Sequence, residues 1–281
     1  MVVALALAAA LVYGAADFCG GLAARRVSAL AVVVWSQAIG LVLLVPALLL
    51  IPGAPHPSDL AWGLACGITG AFAVGLLYRG LAIGVMGVVS PITAVLAAAI
   101  PVGFAMLRGE RPAPLALAGI ACALIAVILV SAGPPARRAR GFPPGIPEAL
   151  GAGFAFGVFF IALAQTRPEA GLYPLLATRL TSLALLAAVA VALRRSVRVA
   201  RPGLRPVVLA GALDMGANVL YVLAAHAGPL SIAAVVTSLY PAGTVALAAF
   251  VLHERLRAAQ WAGVALAFAG VICISLGRSG G

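Results

Sequence analysis

Residues 29–50 read ALAVVVWSQAIGLVLLVPALLL, a run that contains no charged residue. An α-helix rises about 1.5 Å per residue and the hydrocarbon core of a bilayer is about 30 Å thick, so about 20 apolar residues cross it. A helix also satisfies its own backbone hydrogen bonds, as hydrocarbon requires. This stretch therefore predicts a transmembrane helix.

Similar apolar runs, rich in Ala, Leu and Val, follow one another along most of the chain. Ala and Leu favour helix, whereas a membrane β-barrel would need short segments of alternating polarity. No positively charged segment precedes the first run, so we interpret it as a membrane helix rather than a signal peptide. The predicted spans are 3–23, 29–50, 60–80, 85–107, 114–132, 148–166, 172–193, 206–226, 229–251 and 258–277.

The overall composition indicates the same class of protein. Of the 281 residues, 64% are hydrophobic and 9% are charged, and the mean hydropathy is +1.18. About a quarter of the residues of a soluble domain are charged, because a globule needs a polar shell. The sequence therefore predicts an all-α integral membrane protein with about ten transmembrane helices.

The formal net charge is +11, and all 18 basic residues are arginines. They fall mostly in the short gaps between the apolar runs, whereas a nucleic-acid binder would gather them on one soluble face. We therefore expect no nucleic-acid partner and interpret the arginines as topology signals. One side of the membrane would carry Arg25, Arg26, Arg79, Arg137, Arg138, Arg140, Arg194, Arg195, Arg198, Arg201, Arg205, Arg255 and Arg257, and the other Arg108, Arg111, Arg167 and Arg278.

The arginine-rich side of a membrane protein faces the cytoplasm. The chain is therefore predicted to be a multi-pass protein of the inner (plasma) membrane with both termini outside.

An internal repeat divides the chain near its midpoint. Glu110-Arg111 recurs as Glu254-Arg255, at an offset of 144 residues, and an Arg/Pro/Gly-rich stretch lies between the two copies. Five spans would then lie in each half. Because five is odd, the second half starts on the opposite side of the membrane, which predicts inverted repeats, a recurrent transporter plan. The predicted parts are a first repeat at 1–133, a linker at 134–147 and a second repeat at 148–281.

Three charged residues, Asp17, Arg179 and Asp214, lie inside predicted spans and away from the span ends. A charge at the centre of a membrane helix costs about 2.5–3.5 kcal/mol on insertion scales, so such residues usually face a cavity or a partner. The side chain of Arg179 is long enough to reach Asp214 from an adjacent helix. Asp214 is then either a proton-coupling carboxylate or half of a static ion pair. Asp17 lies nearer the interface, which favours a structural role for it.

Other polar and aromatic residues share these helix faces. Asp214, Asn218 and Tyr221 lie on one stripe, and Tyr13 precedes Asp17 by one turn. The remaining candidates for lining a transport path are Trp35, Gln37 and Tyr240, and Pro91 and Pro241 are candidate helix kinks. The cysteines and histidines do not have the spacing of a metal site, and we expect neither a metal nor another cofactor.

These features resemble the drug/metabolite transporter superfamily, EamA type. The resemblance rests on Tyr13-Gly14-Ala15-Ala16-Asp17-Phe18, on Gly109-Glu110-Arg111 with Gly119, and on Tyr240-Pro241, His253-Glu254-Arg255, Gln260 and Gly263. It implies two repeats of five helices and secondary transport of small metabolites, often export of amino acids or other organic solutes, through a central cavity. The chain departs from the pattern at Ala97, the position that matches Pro241.

The leading hypothesis is a secondary transporter, expected to export a small organic metabolite such as an amino acid by alternating access. It would be a proton-coupled or facilitative carrier in which Arg179 holds a substrate carboxylate. An enzyme acting in the membrane would need clustered nucleophiles, metal ligands or acid/base pairs, and the sequence has no such motif. A non-transporting scaffold would be a sealed bundle without a polar cavity. The expected partners are a small-molecule substrate and the bilayer, and two fused halves are compatible with a functional monomer.

Overall fold

The computed structural model describes residues 1–84, 86–130, 144–199, 201–251 and 258–277, and most of them are helical. The helices are α1 (Val2–Ala24), α2 (Ala29–Leu50), α3 (Pro57–Ile83), α4 (Met86–Leu107), α5 (Pro114–Val130), α6 (Ile146–Ala164), α7 (Tyr173–Ala192), α8 (Arg201–His226), α9 (Leu230–Thr237), α10 (Tyr240–Val251) and α11 (Ala258–Gly277). Glu254-Arg255 and most of the predicted linker lie outside the described residues.

Within the part of the chain that the structure describes, six helices, α1, α2, α3, α6, α7 and α8, are long and apolar enough to cross a membrane by length and composition. Shorter apolar segments lie in α4, in α5, across α9 and α10, and in α11. Within the described ranges, these segments follow the order of the predicted spans. The prediction of an all-α, multi-pass membrane protein is confirmed.

The start of α3 shows how local sequence sets a helix boundary. The helix begins at Pro57, ahead of the predicted span at 60–80, because proline is well suited to the first helical position. A capping box fixes the turn before it. In this box, the backbone N–H of His56 donates to Oδ2 of Asp59 (2.8 Å).

The ninth predicted span, 229–251, is not one helix. α9 ends at Thr237 and α10 begins at Tyr240. Pro241 has no backbone N–H, so it cannot donate to the carbonyl of Thr237 and the helical hydrogen bonding stops there. The kink expected at Pro241 is therefore a full break just before it. α4, in contrast, runs without interruption through Pro91.

The packing of the helices repeats between the two halves. α1 packs on α8, α9 and α10, and its counterpart α6 packs on α3 and α4. Likewise α2 packs on α8 as α7 packs on α3, and α5 packs on α11. Exchanging the halves leaves this set of partners unchanged. The chain therefore has two equivalent five-span repeats that pack mainly on each other.

Two hydrogen bonds fix the relative direction of α3 and α7. The hydroxyl of Thr178 donates to the carbonyl of Gly63 (3.0 Å), and one turn further along both helices Ser182 donates to the carbonyl of Gly67 (2.9 Å). The contacts advance together, so the two helices run in the same direction through the membrane.

α3 and α6 run in opposite directions. The thiol of Cys66 contacts the carbonyl of Phe159 late in α6 (3.7 Å), whereas Arg79 near the end of α3 contacts Glu148 at the start of α6 (Nε to Oε1, 3.3 Å). The third and seventh spans are thus parallel to each other and antiparallel to the sixth, as a chain that crosses the membrane at every span requires. Five crossings per half then invert the second repeat relative to the first.

Glycines let α3 and α7 approach closely. A Cβ atom added at Gly63 would lie 2.5 Å from the carbonyl oxygen of Pro174 and 2.8 Å from the Cβ of Ala177. Small residues at such positions are the usual way in which membrane helices gain packing contacts. A Cβ at Gly75, further along the same helix, would meet nothing within 4 Å.

We predict that Gly63→Ala lowers the stability of the purified protein by about 1–3 kcal/mol, because the added methyl group overpacks the α3–α7 interface. The matched variant Gly75→Ala adds the same methyl group where there is space, and helix propensity makes it neutral or slightly stabilising. Thermal unfolding in detergent compares the two. Equal unfolding temperatures for both variants would show that this interface is not closely packed.

Candidate functional site

An ion pair between a buried arginine and a partly buried aspartate lies in the middle of the helix bundle. The guanidinium group of Arg179, on α7, is 2% exposed, and its Nη2 donates to Oδ2 of Asp214 on α8 at 2.6 Å. Its Nη1 donates to Oε1 of Gln37 on α2. The contact between Arg179 and Asp214 that the sequence predicted is therefore present. Gln37 brings the first half of the chain to the same group.

The surroundings of the pair make room for it and orient it. A Cβ atom added at Gly40 would lie 3.3 Å from Cζ of Arg179, so the glycine leaves space for the guanidinium. Asn218, one turn after Asp214, is 4% exposed and donates from Nδ2 to the backbone carbonyl of Asp214 (2.7 Å).

The pair borders a small cavity between the two halves. Side chains from α1, α2, α3, α6, α7 and α8 surround it. It leaves about 20 Å³ for the centres of water molecules, which is room for about one water and too little for an organic solute. The lining residues are Tyr13, Gln37, Gly70, Val74, Phe156, Phe159, Thr178, Arg179, Ser182, Asp214 and Asn218.

Two hydrogen-bond donors on this cavity have no partner among the described residues. They are the Nε–H of Arg179 and the hydroxyl of Tyr13. Leaving a buried donor unpaired costs free energy, about 1–3 kcal/mol for a neutral group and more for a charged one. The cavity thus presents donors, beside the apolar rings of Phe156 and Phe159, to a group that accepts hydrogen bonds.

The structure brings together five of the nine path residues predicted from the sequence. Tyr13, Gln37, Arg179, Asp214 and Asn218 all line the cavity.

The other predicted path residues do not line this cavity. Trp35 is 45% exposed, and its Nε1 donates to the carbonyl of Val197 (2.8 Å). The hydroxyl of Tyr221 donates to the carbonyl of Phe160 (3.1 Å) within the packed core. Tyr240 is 4% exposed and begins α10. For these three, residue type suggested a path. Trp35 is instead directed to the α7–α8 loop, and Tyr221 shares the stripe of Asp214 but lies two turns beyond it, past the residues that line the cavity.

Asp17 also lies outside the cavity lining. It is half-buried on α1, one turn from Gly14 and one turn from Gly20. Gly14 lies against the backbone of Tyr240 in α10, and Gly20 against the ring of Tyr78 in α3. The carboxylate is thus held on a stretch of α1 that packs between helices of both halves.

The cavity also uses residues that the sequence did not single out, Val74, Phe156 and Phe159 among them. In the sequence, apolar side chains that line a cavity cannot be distinguished from apolar side chains that face lipid, so these residues could not be recognised. Ser182 carried a usable signal, because it stands three residues after Arg179 on the same helix, and Thr178 stands four residues before Ser182.

Comparison with known proteins gives a family. The sequence matches the EamA-like transporter family over residues 1–132 and again over residues 143–276. No curated protein matches the chain. A solved structure described as "Crystal structure of protein" is similar over 96% of this chain and 96% of its own, with a TM-score of 0.70 and 19% sequence identity. At that identity the likeness concerns the fold alone.

We predict strong coupling between Arg179 and Asp214 in a double-mutant cycle. Arg179→Met leaves the Asp214 carboxylate without its partner and lowers stability by about 3–5 kcal/mol, as is typical of a broken buried pair. Adding Asp214→Asn recovers part of the loss, with an interaction energy of about 0.5–3 kcal/mol. Thermal unfolding of the two single variants and the double variant measures the coupling.

The matched control is the pair Arg79–Glu148, in which 68% of the arginine side chain is exposed. Exposed pairs contribute about 0–1 kcal/mol. Additive losses at Arg179 and Asp214, similar to those at the control pair, would contradict a buried, mutually dependent ion pair.

Proposed function

We propose that this chain, which belongs to the EamA-like transporter family and is therefore a membrane transporter of small molecules, exports a small organic solute such as an amino acid by alternating access. The observation that carries the proposal is the guanidinium of Arg179, which borders a cavity between the two halves and keeps one donor without a partner among the described residues. The direction of transport is proposed from the resemblance to exporters of the family.

The size of the cavity supports a cycle of conformations. The space around Arg179 is too small for an organic solute, so binding requires the surrounding helices to move apart. Those helices come from both repeats, and a rocking of one repeat against the other would widen the cavity towards one face at a time.

The ion pair suggests how a proton would be coupled to the solute. When Asp214 is ionised, it occupies Nη2 of Arg179. When Asp214 takes up a proton, the attraction weakens and the guanidinium is free to bind a solute carboxylate through two parallel hydrogen bonds. Proton and solute then favour each other at one site and cross the membrane together. Export by this scheme follows the solute's own outward gradient and carries a proton out with it. Phe156 and Phe159 provide the apolar wall for the rest of the solute.

The non-transporting scaffold is less favoured by the same site, because a sealed bundle would not keep a polar cavity with unpaired donors. The repeat boundaries at 133 and 148, the location in the inner membrane with both termini outside, and function as a monomer remain proposals from the sequence.

We predict that Asp214→Asn abolishes proton coupling. The amide cannot exchange a proton, so a pH gradient should no longer drive solute transport, with a loss of about tenfold or more in gradient-driven flux. Purified protein in proteoliposomes, measured with and without a pH gradient, tests this. Trp35→Phe is the control, since Trp35 lies outside the cavity and its replacement should leave the gradient dependence intact.

Full transport by Asp214→Asn with an unchanged pH dependence would show that the ion pair is static and that the proton, if any, is carried elsewhere.

A further inference from the structure

One membrane face carries the α2–α3, α4–α5 and α6–α7 loops together with the α8–α9 turn, and we call it the latch face. Asp59, 1% exposed at the start of α3, lies there. Its carboxylate accepts hydrogen bonds from the backbone N–H of Arg167 (3.0 Å), and from Nη2 (2.8 Å) and Nε (3.1 Å) of the same side chain. Arg167 lies in the α6–α7 loop, so this pair ties the first repeat to the second.

The backbone is closely packed beside the pair. The N–H of Ala54, in the α2–α3 loop, donates to the carbonyl of Glu169 in the α6–α7 loop (2.7 Å). A Cβ atom added at Gly53 would lie 2.5 Å from the carbonyl oxygen of Ala170. The two loops therefore close against each other with no gap for a solute.

A second carboxylate of the first repeat accepts hydrogen bonds from the second repeat on the same face. Glu110, in the α4–α5 loop, accepts the N–H of Leu230 at Oε1 (2.8 Å) and the N–H of Ser231 at Oε2 (3.2 Å). These are the first residues of α9, and the preceding Pro229 offers no side-chain cap. Glu110 thus supplies the negative charge that a helix N-terminus favours.

We propose that Asp59 and Glu110 form a latch that holds this face of the transporter closed, and that both must release their partners before the cavity can open towards it. The proposal rests on alternating access, the proposed function. Both acids belong to the first repeat, and their partners Arg167, Leu230 and Ser231 belong to the second. Any movement that separates the repeats at this face has to break these bonds. Asp59 and Glu110 are therefore positioning residues for transport, although neither touches the cavity.

The opposite face supplies a matched control. Glu148 pairs with Arg79, and this pair also joins the first repeat to the second. Arg79 lies 20 residues after Asp59 on α3, roughly 30 Å away along the helix axis. Glu148→Gln removes the same kind of charge as Glu110→Gln but does so on the far side of the membrane.

The test is the accessibility of a reporter thiol in the cavity. Val74 lines the cavity midway along α3, and Val74→Cys is introduced after Cys19, Cys66, Cys122 and Cys273 have been replaced by Ala. A membrane-impermeant maleimide is applied to each face of the reconstituted protein. Ser196→Cys, exposed in the loop between α7 and α8, marks the opposite face and reports the orientation.

We expect Asp59→Asn and Glu110→Gln each to raise the labelling rate from the latch face severalfold, and the double variant to raise it further. Glu148→Gln should leave that rate unchanged. Unchanged latch-face labelling in both latch variants, while gel filtration and thermal unfolding show folded protein, would overturn the proposal. So would equal increases from both faces, because general loosening of the bundle, and not an opening of one face, would then be the cause.

Labelling needs no substrate, so the outcome is separate from the proposed function. If the wild-type protein transports no solute but the latch variants expose the reporter thiol from one face only, the transport proposal fails and the latch stands. If transport is observed but labelling does not change, the latch fails alone.

Discussion

The guanidinium group of Arg179 carries a positive charge, and it lies where a bilayer surrounds the protein with hydrocarbon. An unpaired charge there is costly, so neighbouring helices must supply acceptors. α8 supplies Asp214 and α2 supplies Gln37, while Gly40 leaves room for the side chain. The close approach of α2, α7 and α8 in the middle of the bundle depends on meeting this one requirement. The group that a solute carboxylate would bind is thus also one that holds the helices together.

The same requirement explains why the site lies between the repeats. Arg179 and Asp214 come from the second repeat, whereas Gln37, Tyr13 and Val74 come from the first. The hydrogen bonds from Thr178 and Ser182 then fasten α7 to α3, across the same boundary. Movement between the repeats changes the space beside Arg179 directly, without any need for a signal from a distant element. In the proposed latch, the carboxylates of Asp59 and Glu110 would restrain that movement from one end.

Much of the fold could be predicted because lipid leaves few alternatives. Runs of about 20 apolar residues have to be helices. Charged side chains inside the membrane, such as Arg179 and Asp214, need a partner of opposite charge or a polar cavity. The break before Pro241 could not be separated from a kink, since both begin with the same missing N–H. The face occupied by Trp35 could not be identified, because lipid-facing and inward-facing positions are both apolar. The stripe that contains Tyr221 was identified, but the sequence does not show that the cavity ends before this residue. The sequence around Glu110 also does not indicate its hydrogen bond to Leu230, which lies 120 residues away along the chain.

The central claim is that Arg179 is the binding group for an acidic solute, and the most direct measurement is ligand-dependent thermal unfolding of purified wild-type protein and of Arg179→Gln at two pH values. The panel contains amino acids, other organic acids, sugars, nucleosides and cationic drugs. At least one solute with a carboxylate should raise the Tm of the wild type, more strongly at the lower pH, and should leave the Tm of Arg179→Gln unchanged. Equal shifts in both proteins, or binding confined to solutes without an acidic group, would contradict the account.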